Sequence, residues 1–564
     1  MARRVLEMSL LALVACAKAV APGPVTSSAP APPIAPVPAA VEVRVTHSRP
    51  DHLHVEYTFP EATSEIVFAR PSPTVRANWT PATPGVKLYP DHATAPSAMR
   101  EWTFDLLVDE IQPEKDYRNF YRFTDRGLLF YTGHLAARSV TQPDKSTRGE
   151  LTFVSAPDEM IVARGQPRDT QARLPMNADG TYVYFGTLTP SETSDFVGVV
   201  DQGFPPALRA RIDEVLPRFF AFFSNGLGRP ESAKEKPLLF ATYHERTGRG
   251  WDMGGGVMPP RVVNFDFGIA RQPSAEAQVE IEKILAHEIA HLWNADLYYG
   301  EDELHETWMK EGSADALAAR ALLEAKAINA SDYRWRFSDA LNLCLLALDE
   351  GEPLSASRRP GRSRDYYTCG MTLTALSAAA SKMELVPFLR EVYSGPNNTY
   401  DGARWFATIE ARGGKADVVR KLAAERLGDP SVELSAALKD AGIAHTLAQA
   451  PSEFVQVRAA PFAVRALLAP SCVAALDLYG TMMVRPEVTA DGACGLATKG
   501  DELTTLAGVD LATHGLGAHD LGFAQCQARK TVTAGRKGKS DIEIPCAPKP
   551  RRRTPYYEIM KVPY

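Results

Sequence analysis

The segment Ile284-Leu285-Ala286-His287-Glu288-Ile289-Ala290-His291-Leu292-Trp293-Asn294 constrains this 564-residue chain more than any other. His287 and His291 are four residues apart, which on a helix places them on one face and one turn from each other. Two imidazoles so placed reach a single metal ion, at a Zn–N distance of about 2.0–2.1 Å. Glu288 points off the pair, near enough to take a proton from a water beside the ion. Ile281, Ile284, Leu285, Ile289 and Leu292 supply an apolar face, so the helix is expected to be buried.

Two histidines do not close a metal site. Downstream, Thr307-Trp308-Met309-Lys310-Glu311-Gly312-Ser313-Ala314-Asp315 opens a long helix through Leu323. Glu311 is the natural third ligand, leaving a fourth position open for water, the donor set used for peptide hydrolysis. Asp315, one turn on and on the same face, can accept the second ring N–H of a ligand histidine and fix its tautomer. Glu301, Asp302, Glu303 and Glu306 are rivals for the ligand role, but their stretch reads as an acidic loop. The metzincin spacing would need glycine at 294 and histidine at 297; Asn294 and Leu297 exclude it.

These motifs carry a resemblance. His287 to Asn294 followed by Trp308 to Ala314 resembles the gluzincin metallopeptidases. Within them it is most similar to the glycyl aminopeptidase family, whose zinc helix also continues into Trp-Asn. Asp365-Tyr366-Tyr367-Thr368-Cys369-Gly370 is similar to that family's Tyr-Tyr-x-Lys-Gly, with Cys369 where lysine is usual. The resemblance implies a thermolysin-like α+β zinc peptidase domain with a mostly helical C-terminal half, one Zn2+ and a peptide or protein substrate. It also implies that Tyr367 donates its phenol to the developing oxyanion. Cys494 to Val509 looks like the Gly-Leu-x-x-Gly-Asp core of a PDZ domain, a module that follows the peptidase in that family. Such a groove takes a peptide C-terminus or strand along a sheet edge. One feature departs from the pattern. Aminopeptidases of this clan carry a glutamate for the substrate amine in a Gly-rich strand before the zinc helix. In Trp251-Asp252-Met253-Gly254-Gly255-Gly256-Val257-Met258 the corresponding position is apolar, and Asp252 and Asp266 are the nearest acids. An alternative reading follows, a degenerate peptidase acting as a peptide-binding envelope scaffold.

The rest of the chain is organised around this centre. From 42 to 204 short period-2 runs predict an all-β domain: Val41–Val45, His52–Tyr57, Ser64–Ala69, Gly127–Tyr131, Glu150–Val154 and Tyr182–Phe185. His52 and His54 share a strand face and are read as solvated or packing residues. The catalytic domain spans 205–445, with a helix over Leu208–Phe223, strands at Lys236–His244 and Arg261–Phe267, and successive helices from Ser274. A β-rich, PDZ-like domain spans 455–547, and 548–564 is a basic tail containing Arg551-Arg552-Arg553.

The chain also carries an address. Arg3-Arg4 precede a short apolar run, Val5 to Val14, broken by Glu7, and Leu13-Val14-Ala15-Cys16 looks like a bacterial lipobox. Residues 1–16 are therefore expected to be a signal ending in the lipidated Cys16, and 17–41 a tether stiffened by proline. This predicts a cell-envelope lipoprotein, periplasmic or at the outer membrane, or a secreted protein if Cys16 is not lipidated. Six further cysteines in an exported chain predict disulfides, by locality Cys344–Cys369, Cys472–Cys494 and Cys526–Cys546. A net charge of -6 offers no electrostatic footprint for nucleic acid. No Gly-x-Ser-x-Gly elbow supports a serine hydrolase.

Overall fold

A computed structural model describes residues 40–49, 51–109, 117–141, 149–164, 166–228, 235–246, 252–258, 261–294, 303–349, 353–356, 364–395, 399–478, 486–547 and 555–562. The leader with Cys16, the tether up to residue 39, Glu301, Asp302 and Arg551–Arg553 lie outside the described residues.

Alternation builds the first layer. Val41, Val43 and Val45 are buried on one face of Val41–Arg49, which pairs antiparallel with His52–Phe68 and parallel with Gly149–Val154. His52–Phe68 is one strand of 17 residues, not the two runs read from the sequence. Its buried positions are Leu53, Val55, Tyr57, Phe59 and Thr63, then Ile66 and Phe68, with the phase reversed at the register shift beyond Thr63. A bulge reverses the side-chain phase in this way. Its partner His92–Leu107 was not anticipated, although Trp102, Phe104 and Leu106 alternate inward.

The second layer is a five-stranded sheet buried on both faces. In Tyr182–Gly186, Val183 and Phe185 pack toward the first sheet, while Tyr182 and Tyr184 pack the other way. Leu128–Tyr131 divides its side chains likewise. The outward set meets Val197, Val199, Leu238, Phe240, Met258 and Val262 of a third sheet. In that sheet Val197–Val200, Leu238–Glu245 and Val262–Ile269 run parallel, and Asp252–Met258 is an antiparallel edge strand. Strand Val197–Val200 precedes residue 205 in the chain but belongs to this sheet. The sheet's far face, with Leu239, Ala241, Val263, Phe265 and Phe267, packs on the helices. The body is thus three sheets and a helical layer sharing successive cores, and a parallel sheet covered on both faces is the stable arrangement.

The helical layer holds the site. Ala275–Asn294 buries Ile281, Leu285, Ile289 and Leu292. The next helix, Glu303–Glu324, begins earlier than expected, so Glu303 and Glu306 lie in a helix and not in a loop. Arg364–Ala380 crosses it so closely at Gly312 and Gly370 that a side chain at either would run into the other's backbone. The Cys344–Cys369 disulfide ties Arg364–Ala380 to Ala330–Asp349, and Cys472–Cys494 and Cys526–Cys546 staple the segment beyond.

That segment is mixed rather than β-rich. Helices Glu453–Arg458, Ala460–Leu467 and Gly515–Arg529 accompany a four-stranded sheet, Val509–Asp510, Leu503–Leu506, Thr531–Arg536 and Lys539–Pro545 in spatial order. Within the stretch read as a tail, Tyr556–Ile559 is a strand pairing His445–Ala448. Its backbone also bonds Ala330–Asp349: the Asn342 amide donates to the Tyr557 carbonyl at 3.0 Å and accepts its N–H at 2.9 Å, and Ser338 Oγ accepts from Ile559.

Ser452 caps Glu453–Arg458 and donates to Asp339 Oδ1 at 2.6 Å. Burial pushes the Asp339 carboxyl up to about 6, against Ser452 and Arg336. An acid raised on folding loses stability as pH rises through the window from its ordinary value to about 6. Asp339→Asn should therefore raise the urea-unfolding midpoint at pH 8, by up to about 3 kcal/mol of stability, and leave it unchanged near pH 4.

Candidate active site

His287 and His291 project from one face of Ala275–Asn294, with ring planes at 89° and Nε2 atoms 3.1 Å apart. Glu311 Oε2 lies 3.4 Å from each of these nitrogens. Four arms of about 2.0–2.1 Å in a tetrahedron put neighbouring donors roughly 3.3–3.4 Å apart. The triangle therefore fits a zinc ion, and the two-nitrogen, one-oxygen donor set suits its chemistry. His287, His291 and Glu311 form the group of metal-binding geometry among the described residues.

Each imidazole is held from behind. His287 Nδ1 is 3.0 Å from Asp315 Oδ1, which also meets Lys283 Nζ at 3.1 Å. Burial opposes ionisation of Asp315, but Lys283 and His287 outweigh it and hold the carboxyl well below its usual range. A carboxylate at that distance is placed to accept the Nδ1 proton of His287, which would leave Nε2 free to face a metal. His291 Nδ1 is 2.8 Å from Asn294 Oδ1. The Asn294 amide in turn donates to the Lys310 carbonyl at 2.7 Å and to Ser313 Oγ at 3.0 Å, and Tyr393 donates to Ser313 at 2.8 Å. Lys283, Asn294, Ser313 and Tyr393 were not singled out as site residues from sequence. Asn294 carried a readable signal, since position i+3 from His291 shares its face.

Glu288 faces the edge strand. A side-chain carbon at Gly255 would stand 2.6 Å from Glu288 Cγ and 3.1 Å from its Oε1, so glycine there makes room for the carboxylate. Burial raises the Glu288 carboxyl above its ordinary range, with His287 and His291 pulling it down. Tyr367, near the start of Arg364–Ala380, lies 5.7 Å from His287 between ring centroids and keeps 36% of its surface exposed. The Glu311 carboxylate foremost holds its phenol well above the usual value, so it remains a donor.

The two acids weighed for amine binding lie elsewhere. Gly255 pairs with Phe265, and alternation puts Asp252 and Asp266 on the opposite sheet face from Glu288. Asp266 there binds Arg118 at 2.8 Å and Thr242 Oγ1 at 2.8 Å, and Met258 is buried between sheets. His52 and His54 bond to Asp51 and Asp105, far from this centre in the first sheet.

No family model matches the chain, and no curated protein matches it in sequence. Solved structures do match. An aminopeptidase N family protein from Idiomarina loihiensis aligns over 92% of this chain and 98% of its own, at TM-score 0.56 and 14% identity. An M1 zinc metallopeptidase from Deinococcus radiodurans aligns over 69% of this chain and 93% of its own, at TM-score 0.38 and 13% identity. The likeness to the Idiomarina loihiensis protein is one of fold, and at that level it agrees with the gluzincin resemblance. It extends along nearly the whole chain.

Removing Glu311 leaves two imidazoles without their anionic partner. Glu311→Ala should lose its zinc on dialysis while the wild type keeps about one equivalent by elemental analysis; a zinc-replete variant would hand the ligand role to another carboxylate. Asn294→Ala, which frees His291 to turn, should weaken zinc binding about 10–100-fold in a chelator competition.

Proposed function

We propose that the chain is a zinc-dependent peptidase. One observation carries the reading: on an aminopeptidase N-type fold, His287, His291 and Glu311 converge with a zinc-compatible spacing, and Glu288 and Tyr367 flank them. When bound, zinc supplies Lewis acidity toward water and a scissile carbonyl. Glu288, raised by burial, takes the proton of the attacking water and passes it to the leaving amine. Tyr367 donates its phenol to the developing oxyanion. Lys283, Asp315 and Asn294 keep both imidazoles facing the ion. Among the described residues Asp252–Met258 has a sheet neighbour on one side only, so an extended peptide can add along it. Gly254, Gly255 and Gly256 let that backbone come close to Glu288.

Two further roles belong to this proposal. Residues 1–41 export the protein and anchor it through a lipid on Cys16, and a Cys16→Ala chain should lose lipid label and leave the membrane fraction. Residues 455–547 act as a PDZ-like module for a peptide C-terminus or strand. Supporting this, Gly-Leu at 495–496 and Gly-Asp at 500–501, one residue further apart than in the PDZ core, are followed by strands, the helix Gly515–Arg529 and two closing strands.

A mixed library of free and N-acetylated peptides, incubated with the body lacking residues 1–40, tests the reading. Mass spectrometry should show cleavage by the zinc-loaded protein. Glu288→Gln should retain zinc and lose about 10²–10⁴ in turnover. Losses confined to free N-termini define an aminopeptidase; internal cuts in both pools define an endopeptidase. No cleavage with zinc bound would overturn the peptidase reading in favour of a peptide-binding scaffold.

A further inference from the structure

A cavity of about 500 Å³ lies where the helices Ala275–Asn294, Glu303–Glu324, Ala330–Asp349 and Arg364–Ala380 meet the short helix Glu453–Arg458. That volume suits a small organic molecule. Val279, Ile328, Leu343 and Met371 give it an apolar wall, and Trp335 and Phe454 stand in the same wall 40% and 39% exposed. Arg458 already lies over the Phe454 ring at 5.3 Å, the seat a cation prefers on an aromatic face. The charges do not balance. Among the described residues five carboxylates line the cavity with two cations, Lys283 and Arg336. Both cations are engaged, Lys283 with Asp315 at 3.1 Å and Arg336 with Glu280 at 3.1 Å. Glu276, Asp332 and Asp339 have no ion pair among the described residues. Asp339 is the least exposed of these three. It takes a hydrogen bond from Ser452 Oγ at 2.6 Å, yet burial outweighs both that bond and the charge of Arg336. Thr368, also in the wall, has a buried hydroxyl with no hydrogen-bond partner among the described residues.

We propose that this cavity is a binding site for a primary ammonium on an apolar stem, with Asp339 as its charge partner, Trp335 as an aromatic face for the cation and the aliphatic wall around the stem. A free amine and the lysine side chain of a peptide share that chemistry. The assignment is independent of peptide cleavage. A carboxylate kept from water without a cation is disfavoured, and an incoming ammonium relieves it. The ammonium brings three N–H donors and no acceptor, so a wall rich in oxygen acceptors satisfies it. An anionic ligand would meet three carboxylates without cations, and a neutral one would leave Asp339 unpaired.

The test is a calorimetric titration of the zinc-loaded protein at pH 8 with 2-phenylethylamine, beside 2-phenylethanol and 3-phenylpropanoate. The amine should bind at one equivalent with Kd below about 1 mM, and the alcohol and the acid at least about tenfold more weakly. Asp339→Asn keeps the shape and an acceptor for Ser452, and should weaken the amine at least about tenfold. Glu288→Gln should bind it as the parent does. With 5-fluorotryptophan incorporated, the fluorine-19 line missing from Trp335→Phe should move as the amine is added. An N-acetylated, C-amidated peptide with one lysine, titrated into Glu288→Gln, separates the two sources. Binding that depends on Asp339 in the same way assigns the site to a peptide's basic side chain; binding of the free amine alone assigns it to a small amine. Equal affinity for amine and alcohol, or an amine affinity untouched by Asp339→Asn or lost in Glu288→Gln, would overturn the proposal. So would no binding up to about 10 mM amine, or a Trp335 line that stays still at saturation. Should Asp339→Asn fail to fold, the Trp335 line still decides.

Discussion

Two imidazole nitrogens and a carboxylate oxygen are held within 3.4 Å of one another inside an apolar shell, and the surrounding helices are built to keep them there. Lone pairs so concentrated repel unless a cation sits among them. The protein therefore needs rigid backing on every donor. Asp315 with Lys283 supplies it behind His287, and Asn294 with Ser313 and Tyr393 behind His291. The Gly312–Gly370 crossing supplies it for the Glu311 helix, because two backbones in contact leave no slack for one to slide. The centre is thus a property of three helices together, and each is locked to the next by a different kind of contact.

Much of this was legible in the sequence, because local spacing decides it. The i, i+4 histidines, Glu311 with Asp315 one turn on, and the three disulfides all depend on separations of a few to a few tens of residues. What escaped depends on contacts that no local pattern encodes. His52–Tyr57 and Ser64–Ala69 looked like two strands, yet an irregularity in register joins them and reverses the phase. Glu303 and Glu306 looked like loop because charge is common in loops, yet they lie in the helix Glu303–Glu324. Tyr393 reaches Ser313 from 80 positions away, and nothing near it announces the bond. Asp252 and Asp266 show the converse: close to the glycines in sequence, they are turned from Glu288 by the strict alternation of a strand.

The layering has its own logic. A strand such as Tyr182–Gly186 has no polar face to offer water, since Val183 and Phe185 serve one core and Tyr182 and Tyr184 another. The first two sheets and the third therefore share their packing, and Asp266 adds an ion pair to Arg118 across the same boundary. The edge strand Asp252–Met258 takes its stiffness from this stack, with Met258 anchored in the shared core while Gly255 faces the carboxylate.

The strand Tyr556–Ile559 bears on how the molecule is made. Asn342 finds its backbone partner 215 positions downstream, and Ser338 finds its own 221 positions downstream. During synthesis, the helix Ala330–Asp349 emerges without these partners and stays so for more than two hundred residues. Contacts of such high sequence separation are slow to form, and intermediates lacking them expose apolar and unpaired surface. Closure of the helical layer is thus a late event in the chain's history, completed only once that strand has been delivered.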